Sequence, residues 1–345
     1  MKYTVYFGTY SKSLYRGEFD AGTGGLELLD SADVENPSYL HADGDVLYGV
    51  SETDVFNGKS GGALFSVSLR DEKMEVLSIE GTNGRHPCHL SVFGNYIFVS
   101  NYSEGTLSIF EKDIKGRIKP SRLSVAHYGS SVNPSRQKQA HIHFAAMSPD
   151  FQYLAVCDLG LDKVFAYPFT MDYGLSLKAK EVDCPPGSGP RHLVFSRDGR
   201  TMYVLTELSN TILVYQSIKD NIELVQEISA LPDGFTGAGG AAAIHMSPDV
   251  GFIAASNRGH DSVAVFRING GGTLQKPEFI MTGAAPRDFG YSPDGRWILS
   301  ANQNDNTVTV HSVRETSETA GQINVPSPCC IAFGGLRAKP AMAEQ

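Results

Sequence analysis

The chain has 345 residues, 41% of them hydrophobic and 19% charged, with 36 glycines and 10% aromatic residues. That composition supports a substantial core and excludes wholesale disorder. The formal net charge of −9 disfavours nonspecific binding to nucleic acid or anionic membranes, and no basic run with interleaved aromatics overrules it. An anionic substrate must therefore be held by a few local arginines. No apolar stretch is long enough for a signal-peptide core or a membrane span. The five cysteines are odd in number, with Cys329 and Cys330 adjacent, and suggest neither a disulfide framework nor a zinc pair. The expectation is a soluble cytoplasmic protein with reduced thiols and no nucleic-acid or membrane partner, its oligomeric state not legible.

In chain order, Tyr3-Thr4-Val5-Tyr6-Phe7 alternates as a strand, and Tyr15-Arg16-Gly17-Glu18-Phe19 reads as the next. A loose repeat begins at Asn36-Pro37-Ser38. A clearer copy runs from His86 to Phe110, and another from Ala140 to Tyr167 with a Ser148-Pro149-Asp150 turn and Asp162-Lys163-Val164. Gly189-Pro190-Arg191-His192 opens the fullest copy, with an Asp198-Gly199 turn, a strand from Met202 to Leu205 and a third from Asn210 to Tyr215. The plan returns from Ala241 to Phe266 and from Ala285 to His311, with Ser292-Pro293-Asp294-Gly295 at the turn. The copies lie roughly 40 to 55 residues apart, the spacing of β-propeller blades.

Pro328-Cys329-Cys330-Ile331-Ala332-Phe333 resembles only the first strand of a copy, and the N-terminal strands resemble only the later ones. Joined, they complete a seventh. The expectation is an all-β, seven-bladed β-propeller closed by its two termini, with residues 1–337 as one domain and 338–345 as a flexible tail. The split terminal repeat argues against an open β-solenoid.

Because consecutive strands of a blade are antiparallel, the start of the first lies beside the end of the second. Two sets of positions then converge at one mouth of the channel. The first is Ser38, Cys88, His143, Arg191, Ala242, Arg287 and Cys329. The second is Tyr10, Glu52, Tyr102, Leu159, Glu207, Arg258 and Gln303, preceded by Thr9, Ser51, Asn101, Asp158, Thr206, Asn257 and Asn302. The copies differ most at these positions while their strand cores stay alike. Three arginines around a carboxylate and an imidazole suit an anionic substrate, since guanidinium forks match carboxylate and phosphate geometry. The bland alternatives are a structural histidine, arginines bridging blades through carbonyls, and Glu207 as their counter-ion. His89 and His192, one position further on, are expected to point away and serve structure. Cys88, Cys329 and Cys330 read as packing residues. Gly237-Ala238-Gly239-Gly240 lacks the context of a phosphate loop.

Over nearly the whole chain these segments resemble the propeller lactonase family, which includes bacterial 6-phosphogluconolactonases and fungal carboxy-cis,cis-muconate cyclases. The residues that carry the resemblance are His86-Pro87-Cys88-His89 with Val99-Ser100-Asn101-Tyr102, Gly189-Pro190-Arg191-His192, and Thr206-Glu207-Leu208. Further matches are Ser256-Asn257-Arg258-Gly259-His260-Asp261-Ser262, Pro286-Arg287-Asp288-Phe289 and Ala301-Asn302-Gln303. The resemblance implies His143, Arg191, Glu207 and Arg258 as catalytic residues, and Arg287 as a further anion contact. Asn101, Asp158, Asn257 and Gln303 complete the expected substrate contacts. Ser247-Pro248-Asp249-Val250-Gly251 departs from the usual Asp-Gly turn, which affects a hairpin and not the site.

The expected reaction is hydrolysis of 6-phosphogluconolactone, without metal or cofactor, because a lactone is already an activated ester. Glu207 or neutral His143 acts as the base, Arg191 or Arg258 stabilises the oxyanion, and the remaining arginines hold the phosphate. A cycloisomerase closing a carboxymuconate to a lactone uses the same cradle. A calcium-dependent lactonase is disfavoured, its only candidate ligands being Asp158, Asn101 and Asn257. A non-enzymatic binding scaffold would carry its distinctive residues on the outer surface rather than in the channel.

Overall fold

Short alternating apolar runs, interrupted by Ser-Pro-Asp and Asp-Gly turns, favour antiparallel strands over helices. The computed structural model describes residues 1–336 apart from 71–72, 172–173, 217–220 and 314–318; the expected tail at 338–345 lies outside the described residues. Every regular element among the described residues is a β-strand. The strands form seven blades, each an antiparallel four-stranded meander, one of them with a short fifth strand. In blades 1 to 6 the first strands are Pro37–Asp43, Pro87–Phe93, Ile142–Met147, Pro190–Phe195, Gly240–Met246 and Pro286–Tyr291. In blade 7 the first strand is Pro328–Leu336, followed outward by Lys2–Thr9, Ser13–Asp20 and Gly25–Asp33. Val5 pairs with Phe333, Tyr6 with Ala332 and Phe7 with Ile331, so the termini close the ring as the sequence led us to expect. First strands of neighbouring blades touch one another around the channel.

The core sits between blades, not within them. Among the described residues seven apolar clusters occur, one at each blade–blade interface. Tyr6 and Leu14 of blade 7 meet Leu47 and Phe65 of blade 1, and around the ring Val308 and Val310 of blade 6 meet Phe7 and Phe19 of blade 7. A blade therefore depends on both neighbours for burial, and closure buries the last two faces. Outermost strands such as Glu223–Ser229 alternate between exposed and half-buried positions, as strands with one wet face do.

A polar latch repeats at these interfaces. Asp162, Asn210, Asp261 and Asn306 all take positive φ, of 53°, 55°, 57° and 55°, a region Asn and Asp tolerate. Each accepts a backbone N–H at the entrance to the next blade, from Gly189, Ala241, Ala285 and Ser327, at 2.7 to 2.8 Å.

The turns between first and second strands share a device as well. Ser148, Ser196, Ser247 and Ser292 each donate a hydroxyl to the aspartate two residues on. Gly199 and Gly295 then supply φ of 68° and 72°, whereas Val250 holds φ 57° at the same place. The departure from Asp-Gly thus keeps the turn and puts a β-branched residue in left-handed backbone, which costs about 1–2 kcal/mol. Val250→Gly should stabilise the fold by about 1 kcal/mol after the unfolded-state entropy of glycine is subtracted. Denaturant unfolding measures this, and a loss of stability would show that the Val250 side chain contributes packing that outweighs the strain.

Candidate active site

Every first strand begins with a break in its ladder, a one-residue bulge in six of the seven blades. Pairing with the second strand skips Ser38, Cys88, His143, Arg191, Arg287 and Cys329 in six blades, and breaks at Ala242 and Ala243 in blade 5. These are the residues of the first predicted set. A bulged residue has no ladder partner and its side chain is re-aimed. Opposite them, the residue after each second strand is pinned by its backbone: the N–H groups of Tyr10, Glu52, Tyr102, Leu159, Glu207 and Gln303 donate to the carbonyls of Ser327, Asn36, His86, His141, Gly189 and Ala285, at 2.8 to 3.1 Å. Arg258 pairs directly with Gly240.

Glu207 lies at the centre of the resulting cluster, 6% exposed. Its Oε2 accepts from Arg191 Nε at 3.0 Å and lies 3.2 Å from Arg258 Nη2. Its Oε1 accepts from Arg136 Nη2 at 2.6 Å. Arg191 also donates to the carbonyl of Ala242 and to His192 Nε2. Arg258 donates from Nε to the Gly240 carbonyl at 3.0 Å and from Nη2 to the Ala241 carbonyl at 3.2 Å. Burial works to raise the Glu207 carboxyl, but the Arg258, Arg191 and Arg136 guanidiniums hold it well below the usual carboxylate range. Burial brings the Arg258 guanidinium down to about 10, still charged at neutral pH.

Arg287 is the contrasting case. Its guanidinium stacks on the Tyr10 ring at 5.0 Å and has no hydrogen bond or ion pair among the described residues. Tyr10 in turn donates its hydroxyl to Glu52 at 2.9 Å. Burial opposes the charge on Arg287, but the nearby Glu52 carboxylate and the face of the Tyr10 ring favour it, and the guanidinium stays protonated. A cavity on the channel axis is lined by Ser38, Cys88, Arg191, His192 and Arg287, among others. Arg287 therefore brings unused donors to the channel.

The remaining predicted contacts are placed differently. The Asn101 amide donates to Thr106 and Ser108 of its own blade, both at 3.0 Å. Asn257 donates to the Ala230 carbonyl at 2.6 Å. Asp158 accepts from His127 at 2.7 Å and from the N–H groups of His141, Gly160 and Leu161. These three do not join the arginine cluster: Asn101 and Asp158 end their second strands and Asn257 is last but one in its own, and they lie in three different blades. Gln303 has its backbone pinned at the mouth, and its amide has no partner among the described residues. Arg136 is the side chain of the cluster that sequence reasoning missed. It comes from the polar segment before Gln139, in which Asn133 Oδ1 accepts the Ser135 and Arg136 N–H groups. Asn133-Pro134-Ser135 signals a turn, but nothing in it indicates what the next residue reaches.

The bulge also overturns the expectation that His89 and His192 turn away. Strict alternation fails there, and a row of rings continues along the channel: His143 is 5.3 Å from His192, which is 5.7 Å from His89, itself 4.4 Å from Tyr39. His143 Nδ1 lies 3.7 Å from Cys88 Sγ. Burial pushes the Cys88 and Cys329 thiols up, so they stay protonated, in keeping with packing rather than nucleophilic roles. Burial, reinforced by Arg191, holds His143 and His192 well below 6.5, and burial with His41 does the same to His89. The folded chain keeps these rings neutral while the unfolded chain protonates them near 6.5. Their contribution to stability is therefore fully present above that pH and is lost as the pH falls below it. Each weakens the fold by up to about 1.4 kcal/mol per pH unit in that range. The unfolding midpoint should drop between about pH 7 and about pH 5, and drop less in His192→Gln; a flat profile would contradict the neutral assignment.

Residues 4–333 match the family model described as "Lactonase, 7-bladed beta-propeller". A 6-phosphogluconolactonase of Bacillus subtilis is 31% identical over 96% of this chain and 98% of its own length. Among solved structures, a periplasmic gluconolactonase of Pseudomonas aeruginosa superposes with a TM-score of 0.90 at 33% identity, covering 96% of this chain and 99% of that one. A putative 6-phosphogluconolactonase of Bacteroides fragilis superposes with a TM-score of 0.88 at 30% identity, covering 96% and 98%. With a ring closed by its own termini and a match over almost its full length, this chain belongs to the lactonase family of seven-bladed β-propellers.

Proposed function

We propose that this lactonase opens a phosphorylated sugar δ-lactone, 6-phosphogluconolactone, to its acid at the arginine-lined mouth. The observation that carries the reading is one buried carboxylate held by guanidiniums beside a neutral imidazole, with Arg287 free to bind an anion. The 6-phosphogluconolactonase named among its relatives supports the substrate. Ester hydrolysis needs an activated water, a stabilised oxyanion and a proton for the leaving alkoxide. Glu207 Oε1 takes the proton as water adds to the carbonyl carbon, and returns it to the ring oxygen as the C–O bond breaks. Arg258 and Arg191 carry charges fixed by backbone carbonyls and stabilise the oxyanion without reorganising. Neutral His143 orients the water, and Arg287 binds an anionic substituent.

A coupled assay with freshly made 6-phosphogluconolactone, run against a no-enzyme control, tests this. Glu207→Gln should fold and lose about 10²–10⁴-fold in turnover. Hydrolysis at the uncatalysed rate by the wild type would reject the substrate and move the search to carboxymuconates and other lactones. Because Glu207 is held low and His143 stays neutral, the catalytically active forms of both persist as the pH falls through 6.5. With unphosphorylated gluconolactone, which lacks the phosphate ionisation at about pH 6, the kcat/KM profile should therefore show no inflection near 6.5, and one appearing there would assign the titrating group to an imidazole.

A further inference from the structure

The arginines around Glu207 differ in how firmly they are held. Arg191 and Arg258 are tied to the carbonyls of Ala242, Gly240 and Ala241, and their side chains are 4% and 21% exposed. They cannot leave the carboxylate without breaking those bonds. The Arg136 side chain is 41% exposed and has only two polar partners among the described residues, Glu207 Oε1 and the Tyr102 hydroxyl at 3.2 Å. It is also the only partner of Oε1 there, the oxygen that must be free to take a proton from water.

The backbone that presents Arg136 is fixed. Ser131 Oγ donates to Asp162 Oδ2 at 2.6 Å, and the buried Gln137 amide donates to the Leu159 carbonyl at 2.9 Å. Asn133 Oδ1 caps the intervening turn. Tyr102 is fixed too, its ring stacked on His141 at 4.3 Å. A side chain that lets go of Glu207 therefore swings from a rigid stem and still has an acceptor at the rim.

We infer that Arg136 is a specificity-determining residue that couples recognition to catalysis: the anionic tail of a phosphorylated lactone draws its guanidinium away from Glu207 Oε1, freeing the base only when that tail is bound. This rests on the reading of Glu207 as the base of a phospholactonase. A dianionic phosphate competes well for a half-exposed guanidinium held by one carboxylate bond, because it offers three acceptor oxygens and bidentate geometry. A neutral lactone offers nothing to draw Arg136 off, and finds the base occupied.

The test compares kcat and KM of the wild type, Arg136→Ala and Arg136→Lys on 6-phosphogluconolactone and on unphosphorylated gluconolactone. The wild type should prefer the phosphorylated lactone. In Arg136→Ala, kcat/KM should fall about 10- to 100-fold on that substrate, mainly through KM, and should rise on the unphosphorylated one because the base is released. Arg136→Lys should restore part of the preference. An Arg136→Ala enzyme that keeps the wild-type ratio, or loses equally on both lactones, overturns this inference and leaves the lactonase reading standing. A wild type that hydrolyses neither overturns both.

Discussion

The ladder break that opens every first strand is the constraint on which the site depends. A regular strand presents only alternate side chains to one face, which limits what a blade can bring to the axis. Skipping one residue in the ladder lets two successive positions approach the channel. Arg191 meets Glu207 through the bulge, while His192 joins the ring stack below it. Seven copies of this break, held in phase by the backbone bonds from the second strands, turn a repetitive ring into a site of unlike residues. The repeat provides the positions, and the differences between copies provide the chemistry.

Electrostatics then determines what those residues can do. A buried carboxylate is costly to desolvate, and leaving one unpaired costs about 3–5 kcal/mol. Glu207 avoids that by sharing its two oxygens among three guanidiniums, two anchored to backbone and one exposed. The anchored pair makes a fixed positive field of the kind that stabilises developing negative charge. Arg287 adds a cation that stacks on the neutral Tyr10 ring near Glu52, without a hydrogen bond to either among the described residues, leaving its donors for a ligand. The histidines stay neutral because they are buried beside arginines, so the net positive charge at the mouth comes from groups that do not titrate near neutrality.

Packing between blades is what makes that geometry rigid. Each apolar cluster belongs to two blades, and the Asp and Asn latches tie the third-strand turn of one blade to the entrance of the next. A side chain at the mouth is thus positioned by contacts from its neighbours as well as from its own strands. Closure between Lys2–Thr9 and Pro328–Leu336 completes the set, and leaves no exposed edge between first and last blades.

The ring, its number of blades and its closure were legible in the sequence, because alternation, turn residues and the spacing of copies are local properties that repeat. Aligning the copies also located His143, Arg191, Glu207, Arg258 and Arg287 at one mouth, since equivalent positions in a symmetric ring converge. What the alignment did not show was which way each side chain turns. Asn101, Asp158 and Asn257 stand one residue from the mouth and face into their blades, where hydroxyls, a carbonyl and backbone N–H groups hold them. His89 and His192 enter the channel stack because the ladder breaks beside them, a pairing between strands that no local pattern encodes. Arg136 belongs to no repeat at all: its contact with Glu207 spans 71 residues of sequence and exists only because the ring folds that segment over the mouth. Local periodicity determined the scaffold, and long-range packing decided the direction and company of each polar group within it.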